Sequence, residues 1–85
     1  MSLNSWAAGV RAAQDRAERF GNLPKGTRVR FDTGDRRGSG EIRGPHPDGR
    51  GTYAVLTQTR PGSGVMATVE VRPSEVMKVT RKATA

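Results

Sequence analysis

The sequence contains no cysteine and a single histidine. Without cysteine, the chain has no disulfide, no thiolate metal site and no cysteine nucleophile. His46 stands between two prolines and has no second ligand-type residue at a metal-binding spacing. No serine belongs to a credible catalytic triad. We therefore expect a protein that is not an enzyme and that holds no metal and no cofactor.

Aromatic residues, acidic residues and long apolar runs are also scarce. Aromatic side chains make up 5% of the chain, and 8 acidic residues face 15 lysines and arginines, which gives a net charge of +7. No apolar run approaches the ~18 residues that a membrane span needs, and the first ten residues lack the pattern of a signal peptide. We expect a cytoplasmic protein, or a virion protein if it is phage-encoded, without membrane contact.

The length and the small apolar content predict one compact domain. The chain has 85 residues, of which 33% are hydrophobic, so its core is small. Such a core is completed either within the chain or by another copy of it. A homo-oligomer is therefore one of the expected states.

Residues 1–22 are predicted to form an amphipathic N-terminal helix. Apolar residues recur at spacings of three and four between residues 3 and 20, and Gly21 follows as a stop signal. This apolar stripe is thin, so the helix must dock either on its own chain or on a neighbour. The candidate interface residues on it are Leu3, Trp6, Val10 and Phe20.

Residues 23–80 are predicted to form five short strands, and residues 81–85 a polar tail. The strands are expected at 27–32, from 40 onward, at 52–59, at 65–72 and at 77–80. A glycine-rich turn at 33–39 joins the first two strands, and a helical turn at 73–76 precedes the last. This order is typical of a mainly β protein, a small five-stranded SH3-like barrel preceded by one helix.

Residues 26–42 contain the pattern Gly26-x-x-Val29-x-Phe31-x-x-Gly34-x-x-x-Gly38-x-Gly40-x-Ile42. This pattern resembles that of the KOW-type modules, the small SH3-like units of ribosomal and transcription proteins. The resemblance implies contact with nucleic acid or protein through the loops and no enzymatic activity.

A second pattern extends over residues 26–79, with Gly-x-Arg-Val-Arg at 26–30, Tyr-Ala-Val at 53–55 and the valines before Pro73. It resembles the plasmid-borne type II dihydrofolate reductases, SH3-like barrels that assemble as tetramers around a pore. The pore lysine of that family falls at Phe31, and its Gln-Ile-Tyr run falls at residues 70–72. The resemblance therefore implies the barrel and self-association, and a divergent reductase is only a remote alternative.

The candidate nucleic-acid contacts are arginines on the strands and in the turns. Arg36 and Arg37 lie between two glycines, where backbone N–H groups and two guanidinium groups can bind a phosphate. Asp32 and Asp35 are close enough to neutralise both. Tyr53 is the one candidate for stacking on a base. The full set is Arg28, Arg30, Arg36, Arg37, Arg43, Arg50, Arg60, Arg72 and Tyr53.

Two functions from different classes are compatible with these features. The first is a small basic binding module that contacts the nucleic-acid backbone, or an acidic protein surface, through outward arginines. The second is a structural or assembly protein that joins copies of itself or forms part of a larger particle such as a phage virion. The charge by itself is equally compatible with a role in solubility.

Overall fold

The protein is mainly β, with one helix followed by five antiparallel strands, as the sequence predicts. The computed structural model describes residues 3–47, 49–60 and 62–83, and for residues 3–8 the backbone alone. The elements are α1 (Leu3–Arg19), β1 (Arg28–Asp32), β2 (Arg37–Pro45), β3 (Tyr53–Gln58), β4 (Met66–Val71), a 3-10 turn (Pro73–Glu75) and β5 (Val76–Arg81).

The five strands form one antiparallel sheet in the order β4-β3-β2-β1-β5. Consecutive strands from β1 to β4 are neighbours, and β5 returns to pair with the free side of β1. Among the described residues, no ladder of hydrogen bonds joins β4 to β5, so the sheet is not closed. This topology makes β1 an interior strand with a partner on each side.

The first hairpin is tighter than the sequence predicts. Its turn covers only residues 33–36 and is closed by the Thr33 N–H, which donates to the Arg36 carbonyl at 2.9 Å. An Asp32 oxygen accepts from the Gly34 N–H at 2.9 Å. The second strand therefore starts at Arg37 and not at residue 40. Gly38 lies in that strand beneath the Phe31 ring, so it serves packing and not the turn.

Alternation along β1 separates the core from the outer surface. Val29 and Phe31 are buried, whereas Arg28 and Arg30 are exposed. Inward residues of the other strands complete the core, and each fully buried aliphatic side chain contributes about 1.5–3 kcal/mol. The buried cluster comprises Phe20, Val29, Phe31, Ile42, Tyr53, Val55, Val71 and Val76.

The C-terminal part of α1 docks on its own chain. Phe20 joins the core, and the Tyr53 hydroxyl donates to its carbonyl. The Leu23 N–H donates to the Tyr53 hydroxyl at 3.1 Å, and Arg16 Nε donates to the Ser74 carbonyl at 2.7 Å. Phe20 is therefore a residue of the core. Val10 is 37% exposed, and the side chains of the other two predicted interface residues, Leu3 and Trp6, lie outside the described part.

The end of the chain differs from the predicted boundaries in two places. β4 begins at Met66, and Val65, the first residue of the predicted strand, is 59% exposed and closes the β3–β4 hairpin. β5 extends to Arg81, so Arg81 belongs to the sheet and not to a loose tail. The helical turn before β5 is confirmed. Of the helices in the described ranges, none has the length and apolar character to cross a membrane.

Candidate polyanion-binding face

Cations of β1 lie directly opposite cations of β5. The register places Arg28 beside Arg81 and Arg30 beside Lys78, and all four side chains are exposed. Directly opposed residues have Cβ atoms about 4.5–5.5 Å apart, and like charges at that distance destabilise the sheet. We call these four residues, with the adjacent and exposed Lys82, the cationic face.

A β-bulge produces the first of these two pairs. Val29 is opposite Val79, so regular pairing would place Thr80 opposite Arg28. The register shifts between Arg28 and Val29, and Arg81 takes that position instead. Bulges commonly redirect a side chain near a functional site. Here the bulge adds a cation to the face at the position of a neutral residue.

The two acids next to the cationic face are already bound by other arginines. Glu41 is the β2 neighbour of Arg28, but its Oε2 accepts from Arg43 Nη1 at 2.8 Å. Asp32, at the end of β1, pairs with Arg37 Nε at 3.1 Å. Within the described ranges, no carboxylate pairs with any residue of the cationic face. The positive charge of this face is therefore available to a ligand.

Two shallow hollows of about 230 Å³ each lie along the cationic face. Each contains cations from both β1 and the β5 region, together with one of the two bound acids. The first hollow is lined by Gly26, Arg28, Glu41, Arg81 and Lys82. The second is lined by Arg30, Phe31, Asp32, Arg37, Gly38, Met77 and Lys78. An anion in either hollow would meet more positive than negative side chains.

Arg36 and Arg37, the predicted phosphate clamp, each have a partner within the chain. Arg36 Nη2 donates to the Gln58 carbonyl, which connects the first turn to the end of β3. Arg37 pairs with Asp32 while its side chain stays 87% exposed. Both residues line a larger hollow of about 650 Å³, which Arg28 also lines. Arg36 thus has a structural role that the sequence did not reveal.

The other predicted arginines are spread over the surface. Arg50 lies in the connection from β2 to β3, Arg60 in the connection from β3 to β4, and Arg72 directly after β4. All three are exposed, and none is among the residues described for the two hollows. Arg43 is the partner of Glu41. The structure therefore brings Arg28 and Arg30 together and leaves these four outside the hollows.

Tyr53 lies in the core and not on the surface where a base would stack. Its side chain is 8% exposed, and its hydroxyl bonds to the Phe20 carbonyl. Phe20 and Phe31 are likewise buried. Tyr53 is for this reason left out of the candidate face.

Sequence reasoning missed Lys78, Arg81 and Lys82, which supply more than half of the cationic face. A signal was present, because Lys78 flanks the inward Val79 and would be placed outward by strand alternation. The pairing of β5 with β1 and the bulge at residue 80 are long-range features. No local pattern in residues 76–82 encodes them.

The described residues form no group of three or more histidines, aspartates, glutamates or cysteines that could hold a metal ion. Comparison of the chain with protein-family models, with curated proteins and with solved structures gave no match in any of the three.

Proposed function

We propose that this chain is a non-enzymatic binding module that contacts the phosphate backbone of nucleic acid through the cationic face. The observation that carries the proposal is the two pairs of opposed cations, Arg28 with Arg81 and Arg30 with Lys78, none of which forms an ion pair with a carboxylate of the described ranges. Opposed like charges lower the stability of a sheet. A bound polyanion offsets that repulsion, so the opposed cations favour binding of a polyanion.

The chemistry of the face favours backbone contact over base recognition. The chain carries a net charge of +7, and arginine presents a planar fork that matches phosphate oxygens. The described aromatic side chains, Phe20, Phe31 and Tyr53, are all buried. Proteins that read single strands combine a basic groove with stacked aromatics. The proposed contact is therefore tolerant of sequence.

We also infer that the sheet is an SH3-like barrel of the KOW type. The support is the order of elements in the structure: a β1–β2 hairpin with a short turn, a meander to β4, a 3-10 turn and a β5 that returns to β1. The glycines of the KOW-like pattern are required by backbone conformation or by close packing. Gly26 and Gly34 adopt positive φ angles of 96° and 91°, and Gly40 approaches the β3 backbone closely.

A salt-dependent titration tests the proposed function. A short fluorescent duplex and a single strand are titrated with the protein at ~50 and ~200 mM salt, where displaced counterions should weaken binding at least about tenfold for two phosphate contacts. Affinity should change little when the base sequence is permuted. Absence of binding at the lower salt concentration would refute the proposal.

Assembly through α1 is the second candidate, because the apolar stripe of the helix is only partly covered. Phe20 is in the core, whereas Val10 is 37% exposed and Ala17 is exposed. A neighbouring copy could cover this remaining part of the stripe. The cationic face and this stripe are on different elements, so one function does not exclude the other.

Sedimentation of a Val10→Glu variant tests the assembly candidate. If the stripe joins copies, the wild-type chain should associate at micromolar concentration and the variant should be monomeric, because a buried unpaired carboxylate is strongly unfavourable. Ala12→Glu is the matched control: the residue is exposed and about 200° around the helix from Val10. A monomeric wild-type chain would eliminate this candidate.

A further inference from the structure

We infer, on the basis of the proposed function, that the cationic face contains two separate phosphate subsites spaced along β1, and that its ligand is a chain of linked phosphates lying parallel to that strand. The first subsite is formed by Arg28, Arg81 and Lys82, and the second by Arg30 and Lys78. Each subsite lies in one of the two hollows, and the second hollow also contains Arg37, which is paired with Asp32.

The spacing of the subsites follows from strand geometry. Arg28 and Arg30 are two residues apart on β1 and both point outward, so their Cα atoms are about 6.7 Å apart. This spacing is comparable to that between successive phosphates along an extended nucleic-acid backbone. A single phosphate can occupy only one subsite, whereas a linked chain can occupy both.

The two-strand construction of each subsite supports separate binding positions. In both subsites one cation comes from β1 and its direct cross-strand neighbour comes from β5. Two cations on directly opposed residues, whose Cβ atoms are about 4.5–5.5 Å apart, can bind one phosphate between them. Each then donates a charge-assisted hydrogen bond to it. The bulge before Arg28 completes the first subsite by replacing Thr80 with Arg81 at this position.

The acids beside the subsites limit the track to the direction of β1. Glu41 lies on β2 opposite Arg28, and Asp32 ends β1 two residues after Arg30. Each carboxylate is held by an arginine of β2, at 2.8 and 3.1 Å. Glu41 opposes an anion placed toward β2, and Asp32 opposes an anion placed beyond Arg30. A ligand chain that follows the β1–β5 seam from Arg28 to Arg30 meets cations at both positions and stops short of Asp32.

Two double variants that remove equal charge distinguish separate subsites from a diffuse positive surface. Arg30→Thr with Lys78→Thr removes both cations of one subsite. Arg28→Thr with Arg30→Thr removes one cation from each subsite. Threonine is used because it suits a strand, and thermal unfolding of each variant checks that the fold is kept.

With separate subsites, the two variants should differ in titrations of a short duplex. The Arg30/Lys78 variant should lose about tenfold in affinity and about one unit of salt slope, since one phosphate contact is lost. The Arg28/Arg30 variant should lose about 100-fold and about two units, because each phosphate loses its arginine on β1 and the remaining cations at the β5 side no longer hold it from both strands. Equal losses in the two variants would overturn the inference. Failure of the wild-type chain to bind would instead refute the proposed function on which it rests.

Inorganic polyphosphate, titrated in parallel, distinguishes the possible sources of the phosphate chain. Tighter binding of the duplex identifies nucleic acid as the ligand, and tighter binding of polyphosphate identifies a phosphate chain without sugars. With either ligand, separate subsites require that the Arg28/Arg30 variant loses more affinity than the Arg30/Lys78 variant. Inorganic monophosphate should compete poorly with either ligand.

Discussion

Replacing Arg28 and Arg30 together by threonine is expected to weaken binding of a short duplex by about 100-fold, because each charge-assisted contact contributes about 1.5 kcal/mol and about 1.4 kcal/mol corresponds to tenfold. Both arginines are exposed on β1 and have no acidic partner in the described ranges. Their contribution to binding is therefore not reduced by an ion pair that must first be broken.

The same double variant is expected to fold at least as well as the wild-type chain. It removes one cation from each opposed pair with Arg81 and Lys78, so repulsion across the β1–β5 seam falls by a few tenths of a kcal/mol, about the scale of one cross-strand pair. Arg28 also lies opposite Glu41 on β2, but Glu41 is paired with Arg43, so little attraction is lost there. Thermal unfolding monitored by circular dichroism measures the difference in stability between the variant and the wild-type chain. Loss of affinity together with unchanged or higher stability is the combination that a dedicated binding surface predicts.

Arg50 and Arg72, changed together to threonine, provide the matched control. Both are exposed, and neither lines the two hollows. The control removes the same net charge from elsewhere, so it should lose less than about threefold in affinity, the effect of a distant and screened charge. If the control loses as much affinity as the Arg28/Arg30 variant, duplex binding depends on the net charge of the protein and not on the cationic face.

Gly40→Ala is expected to destabilise the fold by about 3 kcal/mol, the upper range for overpacking a closely packed interior. A Cβ at this position would collide with the Leu56 carbonyl oxygen and lie 2.8 Å from Val55 Cγ1. Both are parts of β3, and Leu56 O is a backbone atom that cannot rotate away. β2 and β3 would have to separate where the sheet is held together.

The effect should be large relative to the stability of a domain this small. A change of about 3 kcal/mol lowers the midpoint of thermal unfolding by about 15 °C in a domain of this length. Gly9→Ala is the control, because a Cβ there meets nothing within 4 Å. Alanine at this helical position should raise stability by up to about 1 kcal/mol. A Gly40 variant that unfolds at the wild-type temperature would contradict the described packing of β2 on β3.

Local patterns in the sequence were sufficient for the architecture. The first strand was predicted at 27–32 with outward arginines, and β1 exposes Arg28 and Arg30 and buries Val29 and Phe31 between them. Proline followed by serine predicted the 3-10 turn before β5, which is confirmed. These features depend on residues close in sequence, where period-2 alternation and proline geometry act directly.

Features that depend on pairing between distant strands were not predictable. Gly38 was predicted as a turn residue and Gly40 as the start of a strand, but each is required by a distant contact, with Phe31 and with Leu56. Tyr53 read as a surface aromatic, but its hydroxyl connects to Phe20 across the core. Of the five residues of the cationic face, only Arg28 and Arg30 were identified from the sequence, whereas the positions of Lys78 and Arg81 depend on the register of β5 and its bulges.

The salt dependence of duplex binding, compared between the wild-type chain and the Arg28/Arg30 variant, tests the central claim most directly. If the cationic face binds phosphates, the slope of log affinity against log salt should fall in magnitude by about 2 in the variant. The Arg50/Arg72 control should keep the wild-type slope. A slope that is the same in all three proteins would contradict the assignment of this face as the binding surface.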